Sequence, residues 1–103
     1  MKLAVDIPQA EIETFCKRHH IRRLALFGSV LRDDFGPDSD VDVLVEFAPE
    51  HIVRLDDLET AESELSLILR YPVDLGEQRA VEEDPNYLRR KHILGTAEVI
   101  YER

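Results

Sequence analysis

Cysteine is nearly absent from this sequence: Cys16 is the single one in 103 residues. One thiol excludes a disulfide framework and a cysteine-rich zinc site. Long apolar runs are missing too, and none approaches the ~18 residues of a membrane span. The opening, Met1-Lys2-Leu3-Ala4-Val5-Asp6, breaks its apolar stretch at Asp6, too early for a secretory signal, so a cytoplasmic location is expected. Repeats, low-complexity stretches and Gly/Ser-rich linkers are lacking. The acidic residues are spread evenly, ten before His51 and twelve from there on, so one domain over residues 1–103 is expected. Positive charge is scarce: 13 Lys+Arg stand against 22 Asp+Glu, a net charge of −9. Such a chain repels phosphate backbones, which disfavours free nucleic acid as a partner.

The residues present are those of a folded chain. Hydrophobic residues make up 44% and are periodic, which argues against disorder. Ile12, Phe15, Cys16 and His19 fall at i, i+3, i+4 and i+7 after Pro8 and predict a first helix. Leu24–Phe27 is a short apolar run ending in Gly28 and reads as a buried strand. Residues 33–39 read as a loop. Residues 40–47 are rich in valine and form the clearest strand. A long helix is expected from Arg54 to Arg70, with Leu55, Leu58, Ala61, Leu65, Ile68 and Leu69 on its inner face and its acids mostly outside. Val73-Asp74-Leu75 reads as a short strand closed by Gly76. A last helix has Asp84 as its expected N-cap, Pro85 at its first position and Gly95 past its end. Ala97–Tyr101 reads as a final strand. The alternation predicts an α/β (α+β) class, a small mixed β-sheet flanked by helices.

The strand at 40–47 carries the chemistry. Successive side chains on a strand point to opposite faces, so Asp40 and Asp42 share one face while Val41, Val43 and Val45 take the other. Two carboxylates about 7 Å apart at Cα repel each other. They are easily tolerated when solvated or when a cation sits between them, and hard ions such as Mg²⁺ take carboxylate oxygens together with substrate phosphates. Asp38, Asp40 and Asp42 also have the opening spacing of an EF-hand loop. That loop needs Gly at its sixth position and Glu at its twelfth, where this chain has Val43 and Pro49. Upstream, Gly28-Ser29 ends the first strand. Glycine lets a phosphate approach the backbone, and a serine hydroxyl adds a donor. Neither a Walker loop nor a G-x-G-x-x-G is present. Arg89-Arg90-Lys91-His92 reads as a solvated helix end, and His19-His20 as adjacent histidines pointing apart.

The string Gly28-Ser29, ten residues, Asp40-Val41-Asp42 resembles the G-S-x10-D-x-D signature of the DNA polymerase β-like nucleotidyltransferase superfamily. Residues 26–47 look like the minimal nucleotidyltransferases in particular, the MNT or MntA-like proteins of HEPN/MNT toxin–antitoxin pairs. The resemblance implies the polymerase β-like fold. It also implies a third carboxylate on a later short strand, for which Asp74 in Val73-Asp74-Leu75 is the candidate and Glu77 the foremost alternative. Where the family often has Ala-Arg-Gly, this chain has Leu31-Arg32-Asp33, which keeps Arg32 as a candidate phosphate contact.

The resemblance further implies Mg²⁺-dependent transfer of AMP from ATP. Two metal ions, with Mn²⁺ as a substitute for Mg²⁺, would be held by Asp40, Asp42 and Asp74. Gly28, Ser29 and Arg32 would bind the nucleotide. The implied acceptor is a hydroxyl, tyrosine above all, on a cognate HEPN toxin in a type VII-like toxin–antitoxin pair, so a hetero-oligomer with the toxin is expected. Two alternatives are a catalytically silent antitoxin that neutralises by contact and a small-molecule transferase with an aminoglycoside-like acceptor.

Overall fold

The computed structural model describes residues 6–31, 36 and 39–103, with Ser29 by its backbone only. Helix α1, Gln9–Arg18, buries Ile12, Phe15 and Cys16 completely, three of the four residues of the predicted stripe; the fourth, His19, caps the helix end and is half-buried. Burial pushes the Cys16 thiol up to about 12, so it serves as a small apolar residue. Strand β1, Ile21–Phe27, leads into a short 3-10 turn, Gly28–Leu31, and β2 is Val41–Phe47. Helix α2, Leu55–Leu69, precedes β3, Val73–Glu77. Two short helices follow, α3 at Gln78–Glu82 and α4 at Tyr87–Thr96, then β4 at Glu98–Glu102.

The strands form one four-stranded sheet in the order β3-β2-β1-β4. Strand β1 is antiparallel to both β2 and β4, whereas β2 and β3 are parallel. Parallel neighbours cannot be joined by a tight turn, and α2 supplies the crossover between them. One face of the sheet carries Leu24, Leu26, Val41, Val43, Val45, Val73 and Leu75, which pack with Ile12 and Phe15 of α1 and with Ala61, Leu65 and Leu69 of α2. The sheet is thus the predicted mixed one, with helices covering its apolar face.

Several boundaries differ from the sequence reading, each for a local reason. Strand β1 starts at Ile21, before the apolar run, because the charges that masked it are paired. Arg22 meets Glu46 at 2.8 Å, and Arg23 reaches Gln78 at 3.4 Å and Glu102 at 3.6 Å. Leu55 is the first residue of α2 and is 73% exposed rather than inward; the Arg54 N–H donates to the Asp57 carboxylate at 2.9 Å across that helix start. Gly76 lies inside β3 and does not close it. The cap of α4 is Asn86, whose side chain accepts from the Arg89 N–H at 3.1 Å; Asp84 instead accepts from the Asn86 N–H at 2.9 Å. Gly95 falls inside α4. Helix α3 was not expected, because five residues carry too little periodicity to be read. Of the expected loop at 33–39, only Gly36 and Ser39 are among the described residues. They form a turn in which each N–H donates to an oxygen of the other residue at 3.0 Å.

Leu65 is fully buried where α2 meets the sheet. Leu65→Ala should therefore lower the free energy of unfolding by about 2–5 kcal/mol, read as a drop in the urea midpoint at unchanged slope.

Candidate active site

The candidate site lies at one end of the sheet, on the face away from the apolar core. Alternation in β2 sends Val41, Val43 and Val45 into the core, each at most 1% exposed, and turns half-buried Asp42 to the opposite face. In the parallel ladder Asp42 stands beside Asp74, and adjacent strands are about 4.8 Å apart. Val73 and Leu75 are buried on the core side, so Asp74 is exposed on the same face as Asp42. Glu77, paired with Val45, falls on the core-side alternation and away from Asp42. A hydrogen bond from the Val41 N–H to the Pro72 carbonyl, 2.8 Å, ties the start of β2 to the entry of β3.

Gly28 comes to the same place from β1. Phe27 pairs with Asp42 across the antiparallel ladder, so the next residue lies against the Asp42 side chain. Gly28 has φ +77°, the left-handed region that side-chain-bearing residues avoid. A Cβ here would overlap Oδ2 of Asp42 and come within 3.2 Å of its Cγ. The glycine is required first by the carboxylate beside it, a reason distinct from the phosphate approach that its motif suggests. Gly76, on the face of Asp74, is the reverse case: a Cβ would meet nothing within 4 Å, which leaves open space beside the two carboxylates.

The remaining sequence candidates are less closely gathered. Asp40 immediately precedes β2 and is exposed. Ser29 lies in the 3-10 turn after Gly28, and Arg32 lies outside the described residues. Among the described residues, no three His, Cys, Asp or Glu side chains are drawn together closely enough to form a ready metal site. The donor chemistry of Asp42 and Asp74 nonetheless fits a hard divalent cation, since both offer carboxylate oxygens from neighbouring strands on one face. Two residues that bear on the site escaped the sequence reading. Glu62 and Ser66 of α2 accept hydrogen bonds from the backbone on either side of Asp74. Their i, i+4 spacing was visible, but nothing in the sequence says what an outward carboxylate on a helix will reach.

The sequence matches the family model described as the nucleotidyltransferase domain over residues 10–96. The chain belongs to the nucleotidyltransferase domain family. Its resemblance to the minimal nucleotidyltransferases holds in the solved structures as well. A protein described as a candidate minimal nucleotidyltransferase is 30% identical, with 86% of this chain and 85% of that one covered and a TM-score of 0.66. A chain of a toxin–antitoxin crystal structure with AMP-PNP is 16% identical, covering 94% of this chain and 75% of that one, with a TM-score of 0.69. A chain from the structure of tri-AMPylated Shewanella oneidensis HEPN toxin in complex with MNT antitoxin is 15% identical, covering 92% of this chain and 70% of that one, with a TM-score of 0.61. The last two likenesses show the fold alone; the family match and the 30% identical structure identify the mixed sheet flanked by helices as the polymerase β-like nucleotidyltransferase fold. No curated protein matches the sequence significantly. Among the described residues no helix is long and apolar enough to cross a membrane.

The two strand-end glycines give a paired test. Gly28→Ala should cost about 1–2 kcal/mol from the left-handed backbone alone and more as Asp42 is displaced. Gly76→Ala should change stability by less than about 1 kcal/mol. Chemical denaturation of both variants decides it: equal effects would mean that Asp42 is not seated against Gly28.

Proposed function

We infer that this nucleotidyltransferase transfers AMP from ATP to a tyrosine hydroxyl on a cognate HEPN toxin, and so acts as an antitoxin in the cytoplasm. The observation that carries the reading is the register pairing of Asp42 with Asp74, with Gly28 seated against Asp42. The similarity to chains of toxin–antitoxin structures, one with AMP-PNP and one with an AMPylated HEPN toxin, supports the nucleotide and the partner. In this reading residues 1–103 act as one domain, and the acceptor protein supplies its own binding surface.

The residues divide the work as follows. Gly28, Ser29 and Arg32 bind the triphosphate and orient pyrophosphate as the leaving group. Asp40, Asp42 and Asp74 would hold two divalent ions, Mg²⁺ with Mn²⁺ as a substitute. When bound, such ions would supply neutralisation of the charge that develops in the in-line displacement. The acceptor oxygen forms a bond to the α-phosphorus as the bond to the β-phosphate oxygen breaks, and Asp74 takes the hydroxyl proton. Orientation and fixed charge provide most of the acceleration. The net charge of −9 disfavours a nucleic-acid acceptor. Neutralisation by contact alone is the second reading. It is favoured by the lack, among the described residues, of three metal-ligating side chains already drawn together.

Two measurements test this. Mg²⁺ plus ATP should raise the melting temperature over EDTA, since a ligand at 100 times its Kd stabilises by about 2.7 kcal/mol. Asp42→Asn should remove most of that rise while leaving the metal-free melt nearly unchanged; identical responses in mutant and parent would sink the carboxylate assignment. Intact mass spectrometry of the toxin after incubation with ATP and Mg²⁺ should show one or more added AMP groups. Asp40→Ala with Asp42→Ala should abolish the gain yet allow complex formation. Neutralisation without any mass change, equal in parent and double mutant, would establish the contact reading instead.

A further inference from the structure

Strand β3 is an edge of the sheet, with β2 on one side only. Its outward N–H groups would ordinarily face water or invite another strand. Here α2 takes them. Glu62 Oε2 accepts from the Leu75 N–H at 2.9 Å, and Ser66 Oγ accepts from the Val73 N–H at 3.1 Å. The Ser66 hydroxyl in turn donates to the Glu62 carbonyl at 2.9 Å, which fixes its lone pairs toward the strand. All three bonds are partly buried. Asp74 lies between the two anchored N–H groups, and its other edge is held in register with Asp42. The backbone carrying this carboxylate is therefore fixed from both sides.

We propose that Glu62 and Ser66 are positioning residues that hold Asp74 level with Asp42 for divalent-cation binding. The inference rests on the reading of Asp74 as a cation ligand. It assigns α2 a role beyond the core that Ala61, Leu65 and Leu69 build. Glu62 acts through its capacity to accept a hydrogen bond rather than through its charge, so glutamine, which keeps a carbonyl acceptor, replaces it and alanine does not.

The test uses the whole chain and Mn²⁺ alone, followed by NMR line broadening at Asp42 and Asp74 and by amide exchange at Val73 and Leu75. Glu62→Ala should speed exchange at Leu75 and weaken Mn²⁺ binding about 10-fold or more, the range for losing a group that orients a ligand. Glu62→Gln should restore both. Ser66→Ala should act in the same direction at Val73. In AMP transfer, Glu62→Ala should raise the Mg²⁺ concentration for half-maximal rate while the KM for ATP at saturating Mg²⁺ stays within about 2-fold. Faster exchange at Leu75 with parental Mn²⁺ affinity would overturn the proposal and leave the cation site standing, as would equal loss in the glutamine and alanine variants. No Mn²⁺ broadening at Asp42 or Asp74 in the parent would overturn the cation reading and the proposal together.

Discussion

Two carboxylates abreast on neighbouring parallel strands repel each other, and the pairing of β2 with β3 places Asp42 and Asp74 in that position. At the strand spacing of about 4.8 Å, unit charges would interact by about 3 kcal/mol at an effective dielectric of 20 and by under about 1 kcal/mol in water. The exposed setting of Asp74 favours the lower figure. Even so, the arrangement works against the fold, and its neighbours are built to keep it. The core residues on either side of each aspartate, Val41 and Val43, then Val73 and Leu75, are buried and cannot rotate their strands without leaving the core. A one-residue slip of either strand would send its aspartate into the apolar face.

The rest of the architecture holds that pair in place. A parallel neighbour demands a crossover, and α2 supplies it while closing the core with Ala61, Leu65 and Leu69. The same helix meets the outer edge of β3 with Glu62 and Ser66. Strand β1 enters antiparallel from the other side and ends at Gly28, whose left-handed backbone turns the chain away beside the Asp42 carboxylate. At the opposite end of the sheet, Glu64 of α2 pairs with both Arg18 and His19 at the end of α1, linking the two covering helices. A local rule broken at one place, with compensation around it, is a pattern found at functional sites.

The elements with strong periodicity and one half of the candidate site were legible in the order of residues alone. The alternation of Val41, Val43 and Val45 with Asp42 needs no tertiary information, because a strand has a fixed period of two. The stripe of α1 and the inner residues Ala61, Leu65 and Leu69 of α2 were legible for the same reason at the helical period. Boundaries fared worse where side chains override local propensity. Arg22 and Arg23 concealed the start of β1 until their acidic partners on other strands were in place, and Asn86 displaced Asp84 as a cap. Adjacency came from the packed fold. It chose the face of Asp74 over that of Glu77, gave Gly28 a carboxylate to make room for, and brought Glu62 to the backbone of Leu75 from thirteen residues away. Those contacts depend on strand order and register, which arise from burying one apolar face against two helices and are carried by no single stretch of the chain.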